Sequence, residues 1–491
     1  MLCIFGAHRL FHAISISQAN KKNRRLIASA RDTHTNTPDI SLPAVTIQAP
    51  VFNERYVVER LIDSLAAMDY PREKLQIQII DDSTDESLGI AANRIAMHRA
   101  NGINIEHVLR KDRGGFKAGA LQAAMDAATG EFIAIFDADF TPRPDFLKRT
   151  IPHFSDPAIG MTQTRWSYLN RNSNLLTRVQ AMILDAHFGL EQIVRSGKNL
   201  FFNFNGTAGI WRRTTIDDAG GWRADTLTED LDLSYRAQMK GWKFLYCDDI
   251  DCPSELPVDM ASFKSQQHRW AKGAIEVMKK MLKSILRGEA SRASKLEAAF
   301  HLTANFSYLI MLIDAVIFVL PSIYFRTHID APMLVWLDIP LFFFASITHA
   351  IFFLASQRQV GNPVLESLRV LPLLLATSIG LSVNNGRAVL EAVAGHVTDF
   401  IRTPKTGDLA RVTGTTAPAQ SAKPTISYKA ISAKYCDALE LGIAAIYFAY
   451  LAYAIIIGQY IIIPFLTLFA FGFLFTGALS VRAKKQSNAN V

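Results

Sequence analysis

The chain has 491 residues, 49% hydrophobic and 20% charged, with a formal net charge of +8. It is too long for one small domain and too apolar for an ordinary soluble enzyme. Its basic clusters (Lys21–Arg25, Lys279–Lys295, Arg482–Lys485) flank apolar segments and form no base-reading motif, which excludes a nucleic-acid binder. The four cysteines, Cys3, Cys247, Cys252 and Cys436, lack metal-knuckle spacing and read as reduced thiols.

In chain order, "MLCIFGAHRLFHAISIS" comes first. It is broken by His8 and Arg9, is too short to span a bilayer, and has no signal-peptide cleavage pattern. It is expected to be an interfacial helix or the end of a spanning one. Four strand-like segments follow at 44–50, 75–81, 103–109 and 131–137, with helix-length amphipathic stretches between them at 54–68, 84–99 and 117–128. The alternation implies a parallel α/β sheet, in which ligands bind beyond the carboxyl ends of the strands. The second strand ends in Asp81-Asp82 and the fourth in Asp137-Ala138-Asp139. Acids gathered in one crevice repel one another and call for a cation. Asp137 and Asp139 offer hard oxygens suited to Mg2+ or Mn2+, although a D-x-D pair by itself is also a common turn. No glycine-rich phosphate loop of the P-loop type precedes them.

"DTLTEDLDLSYRAQMKGW" (225–242) opens a helix. Thr226 or Thr228 could cap it, and Glu229, Asp230 and Asp232 suit the positive end of its dipole, so capping alone would explain these acids. "SQQHRWAKG" (265–273) then places Gln266, Arg269 and Trp270 on the approach to the first long apolar run. Four spans are expected, Ala304–Phe325, Met333–Ser356, Ala438–Ile457 and Ile461–Val481, with a shorter interfacial or re-entrant helix at Val370–Val383. Four crossings return the chain to its starting side, so the 1–297 region and the basic tail share the cytoplasm.

Asp82, Asp137-Ala138-Asp139, Thr228-Glu229-Asp230 and Gln266…Arg269-Trp270, in this order, resemble the signatures of membrane-embedded family 2 inverting glycosyltransferases. The likeness is to processive β-glycan synthases, cellulose synthases and cellulose-synthase-like mannan and glucan synthases, and runs from about residue 44 to residue 407. "QAPVFNE" (48–54), "GFKAGAL" (115–121) and "FNGTAGIWRR" (204–213) are similar to the same subgroup. The resemblance implies a nucleotide-sugar-binding fold with a mixed, mostly parallel sheet and helices on both faces, followed by an all-α transmembrane region. The expected boundaries are 1–43 for an N-terminal membrane segment and 44–297 for a cytoplasmic glycosyltransferase domain. After them come 298–399 for two spans and an interfacial helix, 400–435 for a loop and linker, and 436–491 for two spans and a basic tail.

The resemblance also assigns roles. Asp230 is the general base, with Glu229 beside it. Asp137 and Asp139 hold the metal. Asp81, Asp82, Lys117, Asp137 and Arg269 bind a nucleotide-sugar donor, UDP-glucose or GDP-mannose. Asn205-Gly206-Thr207, Gln266 and Trp270 bind the acceptor, a glycan or a lipid. Asn205 departs from the cysteine of cellulose synthases. "FIRTPKTG" (400–407) is similar to their gating loop, with Arg402 in place of valine, and would bring Thr403 and Lys405 over the donor diphosphate. A solvated lysine, a membrane-interface tryptophan and a proline-containing juxtamembrane loop are the plainer readings of Lys117, Trp270 and 400–407. Trp166 and Gln163 in "QTRW" fit either sugar contact or core. The expected activity is hexose transfer to a growing β-glycan, coupled to export in the inner or plasma membrane, with room for an export partner subunit. Glycolipid synthesis is the alternative. No signature carboxylate is missing, which disfavours a silent subunit.

Overall fold

The computed structural model describes residues 2–32, 42–319, 333–398, 405, 407 and 434–488. Its centre is a seven-stranded sheet: β1 (Val45–Val51), β2 (Leu75–Asp81), β3 (Ile105–Leu109), β4 (Phe132–Ile135), β5 (Ile159–Tyr168), β6 (Gly209–Arg212) and β7 (Lys243–Ser254), ordered β3-β2-β1-β4-β6-β5-β7. β1 and β2 are buried along almost their whole length because both faces are covered, and the polar residues on them pair across strands (Thr46 with Gln76, Gln48 with Gln78). β4 and β5 both run antiparallel to β6, while β1–β4 and β5–β7 pair in parallel. Every strand except β6 therefore points the same way, and the loop entering β6 arrives at the edge where the other strands end. The sheet is mixed and mostly parallel.

The N-terminal segment forms one helix, Leu2–Asp32. His12, Ser15, Ala19, Asn23 and Ile27 line its buried face. It docks on the sheet-bearing part through Asn23, whose amide donates to Tyr246 O at 2.9 Å and accepts from Ser196 at 2.7 Å. The helix Met260–Arg287 begins at Asp259, whose side chain accepts from the Ser262 N–H, and leads towards the apolar half. Its Lys264 is fully buried and paired with Asp437 and Glu440 of the C-terminal helix Lys434–Ile456.

Among the described residues, Tyr435–Ile456 and Tyr460–Lys485 are long and apolar enough to cross a membrane. Two bent pairs pass the same test only when each is taken as one span: Arg292–Thr303 with Phe306–Val319, bent by 54°, and Val364–Gly380 with Ser382–Ala394, bent by 40°. The second pair contains the shorter apolar stretch expected at Val370–Val383, and its helices are longer than that stretch because polar "NNGR" continues as helix after a break at Leu381. Residues 320–325, the end of the first expected span, lie outside the described set. The second expected span falls within the helix Met333–Gln359.

Candidate active site

The carboxyl edge of the sheet opens into a cavity of about 190 Å3, lined by Asp82, Lys117, Asp137, Asp139, Trp166, Asn205, Gly206, Glu229, Asp230, Gln266, Arg269, Trp270 and Lys405 among others. The topology explains the convergence. Asp82, Asp137 and Asp139 follow β2 and β4, and Trp166 and Tyr168 end β5. Glu255 follows β7, and Asn205-Gly206 enter β6 from the same edge.

Asp81 and Thr207 lie outside this lining. Consecutive strand residues face opposite ways. Asp81 thus turns from the cavity to meet His107 at 2.9 Å and the Ser83 N–H at 2.8 Å. Asp82 faces the cavity and is held by both arms of the Arg110 guanidinium. Thr207 is fully buried, and its hydroxyl accepts from the Asp137 N–H at 2.8 Å, which fixes the backbone of the acidic turn. Gln163 likewise packs inside, donating to the carbonyls of Thr164, Thr207 and Ala208 and accepting from the Asn205 N–H. Thr403 lies outside the described residues.

Lys117 is no solvated lysine. It is largely enclosed between acids, donating to Asp137 and to Gly206 O. Lys405 Nζ donates to Asp139 Oδ2 at 2.7 Å and to Glu255 O at 2.9 Å. Arg60 and the Gly407 N–H both contact the Glu255 carboxylate, so two described points of the 400–407 stretch touch the acidic edge. Asp137 Oδ2 and Asp139 Oδ1 have no protein partner among the described residues. Two hard carboxylate oxygens beside a polar cavity, two residues apart, fit a Mg2+ or Mn2+ ion.

The first turn of the helix Glu229–Met239 separates its acids. Asp232 is fully buried and neutralised by Arg236 and Lys280, so it is structural. Asp230 has no such cation: Oδ1 accepts from the Leu231 N–H at 2.8 Å, and a Cβ on Gly206 would lie 3.1 Å from Oδ2. Gly206 itself has φ +81°, so both conformation and space favour glycine there. Burial first, then the adjacent Glu229 carboxylate, push Asp230 up to about 7, with Lys117 opposing; burial also raises Glu229. Thr228 occupies the cap position, but its hydroxyl has no hydrogen-bond partner among the described residues, while Glu229, Asp230 and Asp232 do lie in the first turn.

Gln266, Arg269 and Trp270 project from one face of Met260–Arg287 at i, i+3 and i+4. This helix packs on the Thr228 turn through Gly273, where an added Cβ would stand 2.5 Å from Thr228 Cγ2 and 2.7 Å from Oγ1. Gly273→Ala should therefore displace the turn that carries Asp230, at a cost of about 1–3 kcal/mol of overpacking, and lower transfer. Thr228→Ala in the same chain should restore part of both losses. Melting curves and initial rates of the single and double variants check this, and a double variant no better than Gly273→Ala would refute it.

Sequence reasoning missed Tyr168 and Glu255, which only the register of β5 beside β7 brings to the cavity. Trp166 packs on Phe188 and Phe140 and also lines the cavity. Trp166 Nε1 and Tyr168 Oη are buried polar atoms without a hydrogen-bond partner among the described residues. Such atoms are costly unless something polar reaches them.

A mostly parallel sheet with paired acids at its carboxyl edge suits a transferase of charged sugar donors no more than other α/β enzymes, but residues 43–273 also match the model of "Glycosyltransferase like family 2". The chain is 42% identical over 304 residues to glucomannan 4-beta-mannosyltransferase 1 of Oryza sativa subsp. japonica, covering 59% of this chain and 57% of that one. It is 44% identical over 260 residues to glucomannan 4-beta-mannosyltransferase 2 of Arabidopsis thaliana, covering 51% and 48%. With probable glucomannan 4-beta-mannosyltransferase 11 of Oryza sativa subsp. japonica it shares 37% identity over 379 residues, covering 75% and 64%. Residues 43–273 are thus a family 2 glycosyltransferase domain, similar to those of cellulose-synthase-like enzymes. It spans about half to two thirds of the length of these curated relatives. Among solved structures, a mannosyltransferase from Pyrobaculum calidifontis in complex with GDP-Man and Mn2+ aligns with TM-score 0.48 and 19% identity, over 79% of this chain and 100% of that one.

Proposed function

We propose that this chain transfers a hexose, mannose in the first place, from a nucleotide-diphospho-sugar to the hydroxyl end of a β-linked glycan. The observation that carries the reading is the convergence in one cavity of a carboxylate raised to about 7, a paired-acid metal site and an Arg-Trp pair. The relatives' names favour mannose.

Asp230 takes the proton of the attacking hydroxyl as its oxygen bonds to the anomeric carbon. The bond from that carbon to the diphosphate breaks, and the diphosphate leaves with the electron pair. In-line displacement turns an α-linked donor into a β product. Arg269 offers a planar fork to the departing phosphate oxygens, and Lys117 and Lys405 keep the site cationic around them. Asp137 and Asp139 would hold a divalent ion, which when bound offsets diphosphate charge. Trp270 gives an apolar face to the acceptor sugar. The described helices beyond residue 297 would carry the product into the bilayer, with the catalytic part in the cytoplasm.

Purified full-length chain, assayed with GDP-mannose and UDP-glucose and with Mg2+ or Mn2+, tests the reading. A ladder of oligosaccharides supports polymerisation. A single glycolipid product would replace the glycan acceptor by a lipid, and no turnover of either donor would sink the proposal.

Arg269 and Trp270 should separate in the same assay. Trp270→Ala should weaken acceptor-dependent transfer far more than donor hydrolysis, since water needs no stacking platform whereas a sugar hydroxyl must be held in place. Arg269→Lys should lower both by roughly tenfold, because the charge stays while the fork is lost. Equal small effects from the two would reduce the pair to an interfacial anchor.

A further inference from the structure

Behind Asn205 runs a chain of hydrogen bonds whose direction is fixed at both ends. Gln192 Nε2 donates to the backbone carbonyl of Asn203 at 3.0 Å, so that atom is the amide nitrogen, and it also donates to Asn205 Oδ1 at 2.7 Å. Asn205 therefore turns Nδ2 to His187 Nε2, 2.9 Å away. That ring nitrogen must accept, which places the imidazole proton on Nδ1, 3.0 Å from Glu191 Oε2. Burial raises Glu191, but Arg195 and His187 outweigh it and hold its carboxyl well below the usual range, so it is an acceptor only. Arg195 in turn pairs with buried Glu297, which holds His8 and His12 of the N-terminal helix. Reversing the Asn205 amide would set two N–H groups against each other at Gln192. It would also set a bare Nδ1 against the Glu191 carboxylate. His187 and Glu191 bound a single π-helical turn, a device that recurs at functional sites.

We infer that His187 is a positioning residue that locks Asn205 to present its second Nδ2–H to the sugar acceptor. The site would then recognise an oxygen lone pair at this point, a hydroxyl that donates its own proton elsewhere. Asn205 lines the cavity next to Gly206, which abuts Asp230, so the locked amide stands beside the proposed base. This inference rests on the acceptor being a sugar, as proposed above.

The test uses the full-length chain with GDP-mannose and manno-oligosaccharide acceptors, measuring donor hydrolysis and acceptor-dependent transfer separately. His187→Ala should leave donor KM and hydrolysis within twofold of the parent and raise acceptor KM roughly five- to tenfold, the value of one hydrogen bond. His187→Gln, whose amide can accept from Asn205 and donate to Glu191, should recover most of it. Glu191→Gln should raise acceptor KM, because an amide no longer demands the proton on Nδ1. Within a panel of monodeoxy acceptors, one position should bind the parent and His187→Ala equally well. The inference is overturned if acceptor KM is unchanged in His187→Ala, if Gln rescues no better than Ala, or if hydrolysis falls in step with transfer. Should His187→Ala not fold, Glu191→Gln decides, by its acceptor KM and by the same deoxy panel run on it beside the parent. A parent chain that hydrolyses donor but transfers to no sugar removes the acceptor reading, and this inference with it. Without donor hydrolysis, the glycosyltransferase proposal itself fails.

Discussion

Asp230→Asn should lower transfer by about 10²–10⁴-fold, the usual contribution of a general base, while leaving donor affinity near that of the parent. Asparagine keeps the shape, and its Oδ1 can still accept from the Leu231 N–H, so the helix start survives. What is lost is a place for the proton. Desolvation and the neighbouring Glu229 raise this carboxylate to about 7, where it is ionised in a useful fraction of molecules and still basic enough to take a hydroxyl proton. Isothermal titration with GDP-mannose, set beside single-turnover transfer, checks both halves. If donor affinity collapses and transfer per bound donor stays normal, Asp230 is a binding residue.

Asp139→Asn should remove most of the divalent-ion-dependent turnover, by roughly two to three powers of ten if several kcal/mol of charge stabilisation go with the ion. The change also leaves Lys405 facing a neutral amide in place of the Oδ2 it contacts at 2.7 Å. Loss of the metal effect and loss of this contact are separable. In Lys405→Met the carboxylate remains, so the Mn2+ or Mg2+ optimum should persist at a reduced rate. Near-normal turnover of Asp139→Asn with an unchanged ion optimum would show that the acidic pair is only a turn.

The four leading strands and the helices between them are legible because buried apolar runs alternate with amphipathic stretches, and the signature acids lie at strand ends that any parallel sheet directs to one edge. The second half of the sheet is harder to read. β7 carries Asp248, Asp249 and Asp251, which look like a solvated loop until Asn23 is seen to bond Asp248 and Ser167 to bond Asp251. β6 is four residues long and is defined by its antiparallel partners. The same limit applies within the site. Asp81 and Asp82 are equivalent in the sequence, and only strand parity assigns one to the cavity and the other to His107. Thr207 falls in a motif read as acceptor-binding, yet the Ala208 N–H bonds Ile135 O at 2.8 Å and draws the loop along β4, turning the hydroxyl to the Asp137 backbone. His187 carries no local signal, because its meaning depends on Asn205, which is brought against it by folding alone.

The Lys264 ammonium gives the chain a property that a catalytic domain with a separate anchor would lack. It is buried two residues before Gln266, on the helix that carries the proposed acceptor platform, and its counter-charges Asp437 and Glu440 come from beyond residue 433. Neutralising those acids while the helix stays in place would strand a cation in the interior, an arrangement that costs about 3–5 kcal/mol when one partner of a buried pair is removed. The sheet-bearing and C-terminal parts are thereby tied by one buried charge cluster, and the stability of the proposed sugar platform is set partly by a helix outside the cavity lining.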